Sequence, residues 1–156
     1  MQRCRRCWRN CDVSCVVWFG LSKRIDCEKL TKEDAMITVQ ADPSRNLLTM
    51  KFSGHVGSHA VKRESVAILP ALDTLQAGFS LLTDLSELES MEYTVAPYIS
   101  KFMDLFSAKG VSRVVRVIPD ARKDIGFKMM SYFHYDHKVH IITCETVEEA
   151  NQVLAK

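Results

Sequence analysis

Four carboxylates fall within nine residues of this chain: Asp84, Glu87, Glu89 and Glu92. Closely spaced carboxylates can serve as general acid and base. That chemistry also needs a nucleophile paired with a base, or a glycine-rich phosphate loop, and neither accompanies the run. The acids therefore read as a solvated entry to a helix. Leu88, Met91 and Tyr93 are interleaved with them. Apolar and aromatic anchors inside a charged rim are the composition of a protein-binding surface.

The histidines offer a second possible chemistry. His134, His137 and His140 recur every third residue with Asp136 among them, a donor set suited to zinc or iron. Phe133 and Tyr135 mark the end of a helix, however, and His140 already belongs to the following strand, so the three need not converge. They read as a helix-ending cluster, favourable to the helix dipole. His55 and His59 are separated by the loop-to-helix step Gly57-Ser58; His55, at the carboxyl end of a strand, is a candidate ligand-binding residue. Cys4-x2-Cys7-x3-Cys11-x3-Cys15 matches neither paired zinc knuckles nor a ferredoxin run. No metal, cofactor or catalytic residue is assigned.

The elements that position these residues follow from hydrophobic periodicity. Ile37, Val39 and Ala41 alternate with polar residues, as do Leu48, Met50 and Phe52. The turn formers Asp42-Pro43-Ser44-Arg45-Asn46 join the two runs into an antiparallel hairpin. Ser58 is placed to cap a helix with Val61, Ile68, Leu69, Leu72 and Leu75 on one face; Pro70 should kink or divide it, and Gly78 ends it. Phe79–Leu82 reads as a buried central strand, and Thr83-Asp84-Leu85-Ser86 as a loop. Val95, Ile99, Phe102, Met103 and Phe106 then define an amphipathic helix closed by Lys109-Gly110.

Val111 to Ile118 is a strand in which Arg113 and Arg116 predict a wet edge or end. Asp124 can cap a helix containing Ile125, Met129 and Phe133, with Phe127 and Met130 nearby. Val139–Thr143 is the last strand, and Thr146-Val147-Glu148-Glu149 is a capping box opening the last helix. The order predicts an α/β fold: a mixed, mostly parallel five-stranded sheet with about four helices. In such sheets ligands and partners dock at the carboxyl ends of the strands.

Composition limits the function classes. Of the 156 residues, 47% are hydrophobic and 26% charged, ordinary values for a soluble globular protein. Residues 1–35 carry eight Lys/Arg against five Asp/Glu, and the remainder thirteen against fourteen, so the body has no basic footprint for nucleic acid. Five of the six cysteines also lie in the first 35 residues; the sixth, Cys144, ends an apolar strand and reads as a buried, inert thiol. The body is therefore expected to be reduced and cytoplasmic. No apolar run reaches the roughly 18 residues that span a bilayer. Residues 1–35 read as a Cys/Arg-rich tail, poorly ordered or a start-site extension, and residues 36–156 as one domain.

The strand–helix order, with Leu82-Thr83-Asp84-Leu85-Ser86 after the central strand, resembles the STAS domain of anti-sigma-factor antagonists and sulfate transporters. The closer resemblance is to the SpoIIAA-like family of small bacterial proteins. It is carried by Phe79–Ser86, Val111–Asp120, Asp124-Ile125-Gly126-Phe127 and Ser131-Tyr132-Phe133-His134-Tyr135, over about 115 residues from Met36. In phosphorylatable antagonists the corresponding helix start reads Asp-Ser-Ser-Gly. Here Glu92-Tyr93-Thr94-Val95 stands there: the acid and the second hydroxyl are kept, while Tyr93 replaces the phosphoacceptor serine. The resemblance implies a non-enzymatic, regulatory module that binds another protein. Asp84 and Ser86 would organise the turn, and Glu89, Met91, Tyr93 and Thr94 would face the partner. Related folds, including SEC14-type domains, enclose apolar ligands, so the resemblance also permits a small apolar or lipid ligand between sheet and helices. Met103 and Met129, with adaptable side chains, would then join His55 in binding it.

Overall fold

The computed structural model describes residues 36–120, 122 and 124–156; the cysteine-rich tail and its thiolate spacing lie outside the described residues. Strand β1 (Met36–Asp42) pairs antiparallel with β2 (Leu47–Val56). In the turn between them, Asp42 Oδ1 accepts hydrogen bonds from the Ser44 amide and hydroxyl and the Arg45 amide. Asn46 adopts a left-handed conformation at φ 48° and its side chain ties the turn to Gln76. Helix α1 (Ser58–Asp73) leads to β3 (Ser80–Met91), a 3-10 turn (Tyr93–Val95) and α2 (Ala96–Ala108). Then follow β4 (Arg113–Val117), α3 (Asp124–His134), β5 (His140–Cys144) and α4 (Val147–Leu154).

The strands lie side by side in chain order, β1-β2-β3-β4-β5, with every pair after the first parallel. The expected mixed, mostly parallel five-stranded sheet with four helices is thus what the described residues form. One face carries the main core, into which α1 sends Val61, Ile68 and Leu72, and α2 sends Ile99, Met103 and Phe106. On the other face α4 packs Ala150 against Leu82, Val115, Val117 and Cys144. Cys144 is buried, as expected; burial, then the Glu149 carboxylate, pushes its thiol pKa up. Thr146 caps α4 by accepting from the Glu149 amide at 3.2 Å. The reciprocal arm of the box goes to the Glu145 amide rather than to Thr146.

Four local expectations are corrected. The central strand does not stop at Leu82 with a loop from Thr83 to Ser86; β3 continues to Met91. Two register shifts against β2, at Lys51/Ser53 and Gly54/His55, each leave one extra residue on β3. These bulges keep Leu85 and Leu88 in the same core after period-two alternation is broken.

Pro70 does not divide α1, which is helical through Asp73. It lies in the last turn, and the carbonyl it leaves without an amide partner is that of Val66, on the exposed side of the helix. On α3 the buried face is not Ile125, Met129 and Phe133, which are all exposed. It is Asp124, Phe127, Met130 and Ser131. Finally, Arg116 does not mark a wet edge: it is 3% exposed, on the face of the sheet that α2 and α3 cover.

Candidate functional site

The pairing of β4 with β3 ends at Val117–Asp84, whereas β2 and β3 run on together to Val56–Met91. This two-stranded ribbon carries most of the predicted recognition residues. Asp84 is buried, and its Oδ1 accepts from the Ser86 amide at 2.9 Å and the Ser86 hydroxyl at 2.6 Å. The pair orders the first bulge within a strand, where a loop was expected. Glu87 meets Lys51 across the ribbon at 2.6 Å, and Glu89 projects into solvent. Met91 is half-buried against the core. Tyr93, opening the 3-10 turn, is 90% exposed, an unusual position for an aromatic ring.

Around the tip the polar groups form one network. His55 Nδ1 is hydrogen-bonded to Ser90 Oγ, and its Nε2 lies 3.6 Å from Glu92 Oε1. Thr94 donates its hydroxyl to Glu92 Oε2 at 2.9 Å. Sequence assigned the α1 cap to Ser58; in the structure Gly57 is the N-cap and offers no side chain. The Glu92 carboxylate sits there instead, interacting with the Ser58 amide, and a Cβ on Gly57 would lie 3.1 Å from Glu92 Oε1. A carboxylate at a helix N-terminus complements the unpaired amides and the dipole.

Donation from Thr94 is the main cause that holds the Glu92 carboxyl below its ordinary pKa of 4.5; His55 and the Ser58 amide add to it. A depressed carboxylate pKa stabilises the fold above the unfolded-state value and loses that contribution as pH falls through the folded-state value. Glu92→Gln is therefore expected to narrow its stability gap from the wild type as pH is lowered from 6 to below about 4.5. Urea midpoints measured across that range check this, and a gap that widens on acidification would contradict it.

The expected ligand-binding residues do not converge. His55 is on the ribbon, Met103 is buried in the core, and Met129 is 61% exposed. Met103 does line a cavity of about 40 Å³ between the sheet and helices α2 and α3, together with Met50, Phe52, Phe102 and Phe127. Met129 cannot join it because its position on α3 turns it to solvent. The C-terminal histidines are likewise dispersed: His134 Nδ1 pairs with Asp104 Oδ1 at 2.8 Å, and His137 packs edge-on against Tyr132. Among the described residues, no group of three or more His, Cys, Asp or Glu side chains is arranged to hold a metal ion.

An uncharacterized protein of the DUF3478 family from Shewanella loihica PV-4 superposes on this chain with a TM-score of 0.62 at 16% identity, over 86% of this chain and 99% of that one. That protein has a SpoIIAA-like fold. So does this chain. The anti-sigma factor antagonist SpoIIAA in its unphosphorylated form gives a TM-score of 0.53 at 14% identity, covering 77% of the SpoIIAA-like chain described here and 97% of the antagonist. No protein-family model and no curated protein matches the sequence.

Within the SpoIIAA-like domain, sequence reasoning missed a buried polar group beneath α3. Arg116 Nη1 lies 3.6 Å from Asp124 Oδ1, with side chains 3% and 0% exposed. Asp124 Oδ2 accepts from Thr143 Oγ1 at 2.9 Å and pairs with Lys128 at 3.1 Å. Ser131 is buried beside them. The available signal was a lone arginine inside Val114-Val115-Arg116-Val117, followed by an aspartate opening the next helix. Among the described residues no helix is long and apolar enough to cross a membrane.

Proposed function

We propose that the SpoIIAA-like domain is a non-enzymatic, regulatory module that recognises another protein in the cytoplasm through the tip of the β2–β3 ribbon and the start of α2. The observation that carries this reading is Tyr93, 90% exposed at the apex of a turn whose polar neighbours are already bonded to one another. A turn already ordered loses little backbone freedom on docking, and an exposed aromatic ring at its apex makes a strong anchor. Glu89 and Thr94 border it, Met91 supplies adjacent apolar surface, and Asp84 with Ser86 sets the bend that presents them. In the resemblance to the antagonists Tyr93 takes the place of the phosphoacceptor serine, which speaks against a serine switch at that position. Thr94 donates its hydroxyl to Glu92.

Tyr93→Ala is expected to weaken capture of the cognate partner by at least about tenfold, as for a buried interface aromatic. The thermal midpoint should be unchanged, because the ring contributes little to the core. Partner recovery equal to that of the wild type would overturn the assignment.

A second reading, a small apolar ligand between sheet and helices, is supported by the cavity beside Met103. A cavity that holds benzene measures about 150 Å³, so about 40 Å³ admits one or two non-hydrogen atoms rather than a lipid chain.

A further inference from the structure

We infer that two copies of this chain join through the open edge of β5, the strands pairing antiparallel about Ile142 while the outer flanks of α3 meet above them. The surface is separate from the ribbon tip, since β4 lies between β5 and the strand that leads there.

The first ground is the strand edge. β5 ends the sheet, and among the described residues no strand pairs with its outer side. The His140 amide donates to the Ser112 carbonyl and the Cys144 carbonyl accepts from the Ile118 amide, so both residues face β4. Backbone groups alternate sides along a strand, which turns the amides and carbonyls of Ile141 and Thr143 outward. His140-Ile141-Ile142-Thr143-Cys144 holds no lysine, proline or bulge, the usual guards of an exposed edge. The outward set is self-complementary. With Ile142 on a two-fold axis, Ile141 of each copy faces the partner's Thr143, and each such pair exchanges two hydrogen bonds.

The second ground is apolar cover. On one flank of α3, Met130 and His134 meet Ser100 and Asp104 of α2. Ile125, Met129 and Tyr132 fall on the other flank and are exposed. That flank overhangs β5, because Tyr132 shares the walls of an open cleft with Ile141 and Thr143. In a pair joined about Ile142 both α3 helices lie on one face of the joined sheet, across the axis from each other. Each presents Ile125, Met129 and Tyr132 to the same three residues of its partner. A joint this short needs such cover, because hydrogen bonds exchanged with water contribute little net.

The third ground is charge. Antiparallel pairing sets the amino end of one β5 beside the carboxyl end of the other. The amino end carries exposed Lys138, with His137 and His140; Asp136 turns its carboxylate back to the Lys138 amide at 2.9 Å. The carboxyl end carries Glu145, Glu148 and Glu149, all exposed. Opposite charges therefore meet at both ends of the joint, and the two-fold arrangement closes at two chains.

The test is light scattering of the full chain after gel filtration, in reducing buffer so that no thiols link. The mass should rise from 17.8 kDa towards twice that value as concentration increases through the micromolar range. Ile141→Lys puts a charge on the exposed edge and should weaken association at least about tenfold, with an unchanged thermal midpoint. Lys138→Glu and Glu145→Lys should each weaken it about threefold or more. An equimolar mixture of these two variants should recover it, since each then offers the other opposite charges at both ends. A single-chain mass throughout would overturn the inference, as would a mass beyond two chains. A dimer indifferent to Ile141→Lys, or a mixture no tighter than its components, would overturn the β5 joint. Loss of the dimer in Tyr93→Ala would place the interface at the tip and overturn it equally.

Discussion

Asp124→Ala is expected to destabilise the domain by about 3–5 kcal/mol, the usual consequence of stripping one partner from a buried ion pair. The aspartate is fully buried and faces Arg116, Lys128 and Thr143. Its loss leaves the Arg116 guanidinium, only 3% exposed, without a carboxylate beneath α3. Most of the effect should come from the stranded charge rather than from the missing attraction. The double variant Arg116→Met with Asp124→Leu removes both charges at similar volume, and should be much closer to wild type than Asp124→Ala. Urea unfolding of the two variants and the wild type checks this. A loss below about 1 kcal/mol for Asp124→Ala would show that the pair is more hydrated than its burial indicates.

Phe79→Ala should cost a comparable 3–5 kcal/mol, for a different reason. Phe79 precedes β3 and is 1% exposed, among the largest fully buried side chains among the described residues. Its carbonyl accepts from the Ser112 amide at 2.9 Å and the Ser112 hydroxyl at 3.2 Å, which pins the backbone where β3 and β4 start together. With the backbone held, the surrounding core can collapse only partly into the space left by the ring, so a cavity term adds to the lost burial. Equilibrium unfolding with an unchanged m-value would assign the loss to the folded state. A change under about 1 kcal/mol would mean that the core re-packs freely.

Much of the architecture was legible because its elements obey simple periods. Ile37, Val39 and Ala41, and Leu48, Met50 and Phe52, alternate as half-buried strands do, and the turn formers between them left little freedom in the connection. Ile99, Met103 and Phe106 recur at helical spacing and bury one face of α2. β3 was misread where its period changes. Leu85, Leu88 and Met91 share one core at a spacing of three while Leu82 faces the other core, a pattern that neither a regular strand nor a loop explains. Two bulges do, by inserting an unpaired residue each time.

On α3, Ile125, Met129 and Phe133 have the spacing of a buried stripe, but Phe127, Met130 and Ser131 occupy it. Hydrophobicity alone cannot choose between two apolar faces of one helix. The buried face is the one that carries Asp124, whose carboxylate lies over Arg116 on the sheet beneath α3. The tip for which recognition is proposed stands out in composition and less so in geometry. The exposed Tyr93 agrees with an anchor, whereas the cap of α1 by Glu92 joins it to Ser58, thirty-four positions away, and has no local signature.

The sequential strand order has a consequence for how the molecule is made. Each strand after the hairpin is added at the growing margin of the sheet, next to the one synthesised just before it. No strand has to wait for a distant partner or be threaded between two already in place. Each parallel pairing closes a crossover of about thirty residues and so costs loop entropy, but none awaits a strand not yet made. The domain can therefore assemble progressively from its amino-terminal hairpin while translation continues, with α4 sealing the second face last.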